Sequence, residues 1–156
     1  MSRGRKETLI DELVKQFRIS GNQDAAFDNV AAERLGMNQT DLHCINIIEN
    51  SGGIGAGDLA AEAGLTTGAV TGVIDRLERA GYARRVPGED RRRVKVEVTP
   101  EWYRRAGKIW GPLRTDWGST LTRRFTAEQL EQAIEFLKAT NALSERHLDR
   151  LREIKD

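Results

Sequence analysis

Within nine residues, "VPGEDRRRV" from Val86 to Val94, the chain sets a proline and a glycine, two acids and three consecutive arginines. Guanidinium groups stay protonated at any ordinary pH, so their chemistry is the holding of anions and base edges rather than proton transfer. Some twenty residues upstream, "GLTTGAVTG" brings the hydroxyls of Thr66, Thr67 and Thr71 together at helical spacing. Such hydroxyls hydrogen-bond phosphates or base edges. Groups suited to covalent or metal chemistry are scarce: one cysteine, Cys44, and two histidines, His43 and His147. His43 and Cys44 are neighbours on a predicted helix, where their side chains diverge by roughly 100 degrees and cannot form a dyad. There is no glycine-rich phosphate loop and no metal-ligand spacing. An enzyme, a cofactor and a metal site are therefore not expected.

The 156 residues carry 25 Lys and Arg against 24 Asp and Glu, a net charge of +1 that looks indifferent to nucleic acid. The distribution differs. From Arg76 to Val96 there are eight basic residues and three acids, a local excess of five positive charges on a chain whose remainder is acidic. Such an island points to one surface that faces a polyanion. The composition, 38% hydrophobic, is that of an average globular protein. No apolar run reaches the roughly 18 residues of a membrane span, and "MSRGRKETLIDEL" lacks the apolar stretch of a signal peptide. A cytoplasmic protein is expected. Cys44 sits in "LHCINII" and reads as a packed, inert thiol.

The elements that must position these residues follow from period and caps. Leu9, Leu13, Phe17, Phe27 and Ala31 recur at helical spacing and predict one long helix from Thr8 to Leu35, weakened near Ser20, Gly21 and Asn22. Asn38 predicts the N-cap of a second helix through Leu42, Ile45 and Ile48, with Asp41 favoured by the positive helix end. "GAGDLAAEAGL" is a short helix closed by Gly64. "TTGAVTGVIDRLERAG" is a longer one, capped by Thr66 and burying Val70, Val73, Ile74 and Leu77. Two helices joined by a glycine-containing turn make a helix-turn-helix. The period then changes to two: Val94, Val96 and Val98 share one face of a strand whose partner is "YARRV", and "PGEDRR" is the projecting hairpin tip. Thr99 and Pro100 open the next helix, with a kink predicted at Gly111-Pro112. A last amphipathic helix follows the cap Thr126 and aligns Leu130, Ile134, Leu137, Leu148 and Leu151. His147 falls on a solvated face among Glu145, Arg146, Asp149 and Arg150.

The fold class is mainly α with a small β-hairpin wing. A winged helix-turn-helix lobe over 37–99, with its recognition helix at about 66–80 and its wing at about 82–99, lies between a dimerisation helix at 1–36 and dimerisation helices at 100–156. The outer helices carry more apolar stripe than the middle lobe can cover, which predicts packing within and between subunits.

The stretch "VIDRLERAGYARR", followed by "DRRR" and by the "VT" before the next helix, resembles the MarR family, the multiple antibiotic resistance regulators of bacteria. That resemblance implies a homodimeric, sequence-specific regulator of transcription, a repressor on a pseudo-palindromic double-stranded operator. It also implies that Asp90 orients Arg92 while the arginines of the wing probe a minor groove; of Arg91, Arg92 and Arg93, Arg92 is the expected groove contact, Arg91 faces phosphate or only solvent, and Arg93 falls on the strand's polar face. Arginine suits that insertion because it sheds water more readily than lysine. Thr66, Thr67 and Thr71 then face the major groove, and Arg79, away from the buried stripe, reaches the DNA backbone. The resemblance further implies release by a small aromatic or phenolic ligand, for which His43, Trp110 and Trp117 are candidate lining residues. This chain departs from the family's pattern at Gly68 and Gly72, where relatives often carry longer polar or basic side chains. A glycine reads no base, so recognition is expected to lean on groove shape and the wing. A winged-helix module that binds protein without an operator is the competing reading, and the basic island argues against it.

Overall fold

The computed structural model describes residues 4–88 and 94–154. Among the described residues, six helices and three short strands follow in the order α1 (Arg5–Leu35), α2 (Gln39–Ser51), β1 (Ile54–Gly55), α3 (Ala56–Ala63), α4 (Thr67–Arg79), β2 (Ala83–Pro87), β3 (Val94–Val98), α5 (Pro100–Arg124) and α6 (Ala127–Glu153). The chain divides into two compact units, one ending at Ile109 and the other beginning at Trp110.

In the first unit, α1 runs unbroken through Ser20, Gly21 and Asn22, where weakening was expected. A single glycine costs a helix interior about 1 kcal/mol, less than a break followed by renucleation within the same segment. Gly36, at φ 69°, ends the helix in the left-handed conformation, and the Met37 N–H closes it on the Ala32 carbonyl at 2.9 Å. Asn38 caps α2 as predicted, its side-chain oxygen accepting the Asp41 N–H at 2.8 Å.

The core of this unit is built from Leu42, Ile45 and Ile48 of α2, Leu59 of α3, Val70, Val73, Ile74 and Leu77 of α4, Val96 of β3 and Trp102 of α5, all fully buried. The four α4 residues are the stripe expected from the sequence. Tyr82 and Trp102 meet edge to face, with ring centroids 5.8 Å apart. The Tyr82 hydroxyl donates to the Leu35 carbonyl at 3.0 Å, and the Trp102 indole N–H donates to Glu49 at 2.8 Å.

The sheet has three antiparallel strands in the order β1-β3-β2, one more than the predicted hairpin. β1 pairs Ile54 with Val96 and Gly55 with Lys95. Two residues are too few to show an alternation, which is why the sequence pattern missed them. The turn into β1 requires glycine: Gly53 has φ +121°, and a Cβ there would lie 3.0 Å from Cγ of Glu97. β2 and β3 pair from Ala83 with Val98 to Pro87 with Val94. Val96 is buried but Val94 is 56% exposed, so the predicted apolar face fades before the hairpin tip.

Thr99 opens α5 by accepting the Trp102 N–H, and its hydroxyl donates to the Gly81 carbonyl at 2.6 Å. The helix is continuous through Pro112, although proline has no N–H to offer the Lys108 carbonyl. In its first turn, hydrogen bonds from Arg104 and then Arg105 hold the Glu101 carboxyl down at about 2. A depressed carboxylate contributes its stabilisation in full above the unfolded pKa near 4.5 and loses it as pH falls towards 2. A carboxyl NMR titration of Glu101 should therefore show a midpoint near 2; a midpoint near 4 would mean that the arginines do not hold it. In the second unit, Thr126 and Gln129 form a reciprocal cap at the start of α6, and no residue of that helix is buried.

Candidate nucleic-acid interface

The turn between α3 and α4 is set by Gly64, left-handed at φ 67°, and by the Leu65 N–H bound to the Ala60 carbonyl. Thr66 then caps α4, its hydroxyl oxygen accepting the Ala69 N–H at 3.2 Å. Thr66 is thus committed to the turn chemistry that could account for it without DNA. Thr67 and Thr71 are exposed one turn apart. The Thr71 hydroxyl donates to the Thr67 carbonyl at 2.9 Å, leaving its oxygen lone pairs to face solvent. Gly68 has open space around a would-be Cβ, so no internal packing demands glycine there.

The basic island is less free than its count suggested. Arg76 forks onto Asp41, with Nε 3.1 Å from each carboxylate oxygen and Nη2 2.7 Å from Oδ1. Arg85 binds both Asp75, at 2.8 Å, and Glu78, which also accepts the Arg85 backbone N–H. Glu97 lies between Lys95, at 2.7 Å, and Arg84, at 3.7 Å, and the hydrogen bond from Lys95, with smaller help from Arg84, lowers its pKa. Asp41, Asp75 and Glu97 all lie outside the 76–96 stretch in which the excess was counted. Sequence adjacency concealed that they sit against its cations. Arg79 remains exposed, with no ion-pair partner among the described residues. Glu89 and the predicted wing residues Asp90, Arg91, Arg92 and Arg93 lie outside the described residues.

The Asp41–Arg76 pair is the feature of this surface that the sequence reading missed. Its partners are 35 positions apart, so no local spacing announced it. Asp41 lies in the first turn of α2, where the helix end favours its charge, but its side chain is only 4% exposed and is turned onto Arg76 of α4. Beside it, burial pushes the Cys44 thiol pKa up, assisted by the Asp41 charge, which keeps the sulfur protonated and inert.

The three candidate ligand residues are not assembled within one unit. His43 is exposed on α2 in the first unit, whereas Trp110 is half-buried and Trp117 exposed in the second. In the first unit, Arg34, Leu35, Arg105, Lys108 and Ile109 line a cavity of about 330 Å³, and Asp41, Arg76 and Arg79 border another of the same size. Neither includes His43. Among the described residues, no three His, Cys, Asp or Glu are grouped to hold a metal ion, and no helix is long and apolar enough to cross a membrane.

Residues 37–94 match the MarR family. Over 153 residues, covering 97% of this chain and 99% of the relative, the sequence is 34% identical to the uncharacterized HTH-type transcriptional regulator YcgE of Bacillus subtilis. Among solved structures, RV1404 from Mycobacterium tuberculosis is 18% identical with a TM-score of 0.64, over 91% of this chain and 96% of that one. Wild-type apo MarR from E. coli is 21% identical with a TM-score of 0.56, over 82% of this chain and 95% of that one. At these identities the two structures speak to the fold alone, which is the winged helix.

Proposed function

The chain belongs to the MarR family and is a DNA-binding regulator of transcription, and from that premise we propose that it acts as a homodimeric repressor on a pseudo-palindromic operator. The observation that carries the DNA-reading half is the exposed surface of α4, where Thr67 stands open at the N-terminal end, Thr71 on the flank of the buried stripe and Arg79 opposite it. A recognition helix enters the major groove by such a face, its positive N-terminal end favouring phosphate. In the wing, Arg92, oriented by Asp90, takes the flanking minor groove, with Arg91 and Arg93 adding positive charge beside it. The dimer half is supported by the exposed apolar residues of the outer helices, among them Leu9, Leu13 and Phe17 of α1 and Ile134, Leu137 and Leu148 of α6.

Selection of bound sequences from a random DNA pool tests this reading. An enriched inverted repeat is the expected outcome; single half-sites would remove the dimer, and no enrichment would favour the protein-binding alternative. On the enriched duplex, affinity should fall about a thousandfold or more between 50 and 200 mM salt if roughly six phosphates or more are contacted. A flat salt response would contradict a cationic wing. Ligand release belongs to the same proposal, with His43, Trp110 and Trp117 as the residues to test. Phenolic acids should raise the melting temperature and displace the operator together.

A further inference from the structure

Resting on the proposal that α4 reads DNA, we infer that Arg76, held by Asp41, is the side chain with which this recognition helix reads a guanine in the major groove. The sequence left α4 without an obvious long reader, since Gly68 and Gly72 occupy outward positions of its N-terminal half. The structure supplies one from the next turn. Helical side chains lean back towards the N-terminus, and Arg76 does so: Nη1 lies 3.5 Å from where a Cβ of Gly72 would stand. The guanidinium thus lies over the bare backbone of the position four residues earlier.

Its two edges have different surroundings. Nε and Nη2 are taken by the Asp41 carboxylate, whose side chain is 4% exposed, while the Arg76 side chain is 44% exposed. Among the described residues, no acceptor lies on Nη1. Five N–H groups in a rigid plane allow both uses at once: the side edge locks onto the carboxylate, and the end-on fork of Nη1 and the second Nη2 hydrogen stays open. That fork matches O6 and N7 of guanine, and an arginine already fixed by a carboxylate loses less freedom on meeting them. Asp41 is a positioning residue in this arrangement, and Gly72 is the position that leaves the fork uncovered.

Pool selection with the wild type and three variants is the test. The wild type should enrich an inverted repeat with one G·C pair in each half-site that Arg76→Lys no longer selects, its discrimination there falling roughly tenfold to a hundredfold. Asp41→Asn should lose the same preference while keeping the others, which a merely structural role would not produce. Gly72→Leu guards against loss of the fold, because leucine favours a helix over glycine. By covering Nη1 it should erase the same base preference. If Arg76→Lys weakens all sequences evenly with base preferences intact, Arg76 contacts phosphate and the inference is overturned. Unchanged preference at every position in both Arg76→Lys and Gly72→Leu overturns it as well. A wild type that enriches no repeat instead defeats the underlying proposal of operator binding.

Discussion

Replacing Trp102 with alanine is expected to lower the unfolding free energy by roughly 3 to 5 kcal/mol, the usual range for deleting a buried aromatic. Trp102 is 1% exposed and ties three parts of the first unit together. Its indole N–H donates to Glu49 of α2, its ring meets the edge of Tyr82 before β2, and its own backbone N–H is received by Thr99 at the start of α5. Alanine removes the packing, the aromatic pair and the partner of a half-buried carboxylate at once. Trp102→Phe keeps most of the volume and loses the hydrogen bond to a charged acceptor, so about 1.5 to 3 kcal/mol is expected. Urea unfolding of the two variants separates these terms. A loss below about 1 kcal/mol for the alanine would mean that Trp102 does not anchor α5 to the lobe.

The second large effect is expected at α6. The helix is amphipathic yet has no buried residue; Leu130, Leu137 and Leu151 fall at one position of a heptad, and Ile134 and Leu148 at a second position of the same seam. A 3.5-residue repeat is the pattern of helices that pack against helices. Ile134→Asp with Leu137→Asp puts two carboxylates into that seam on each chain. Ile134 is 51% and Leu137 48% exposed, so about half of the roughly 1.5 to 3 kcal/mol of full burial is left for association, and four such side chains across a symmetric interface represent about 3 to 6 kcal/mol. Sedimentation should find the double variant monomeric at concentrations where the wild type is dimeric. Operator affinity should fall more than a hundredfold, because each half-site is then bound alone. A dimer that survives both substitutions would place the interface elsewhere.

How far the sequence could be read depended on whether partners were local. Caps and stripes were legible: Asn38, Thr66 and Thr126 cap the helices they were expected to cap, and Val70, Val73, Ile74 and Leu77 are the buried face of α4. Alternation predicted β3 and its pairing with β2, but not where burial stops, because Val94 lies beyond the core that covers Val96. Local charge counting misled. The segment's excess of positive charge is partly cancelled by Asp41, Asp75 and Glu97, which only the folded chain brings against Arg76, Arg85, Arg84 and Lys95. Among the described residues of that segment, Arg79 is the cation with no ion-pair partner. The glycines at 68 and 72 posed a question that sequence spacing could not answer, since the side chain covering Gly72 comes from one turn later and is aimed by a residue on another helix.

The central proposal, a symmetric dimer reading an inverted repeat, is most directly tested by the mass of its complex with one selected duplex. Two chains per duplex, with protected half-sites centred about one helical turn apart, is the predicted result. A stable complex of one chain per duplex, protecting a single half-site at the same affinity, would contradict it.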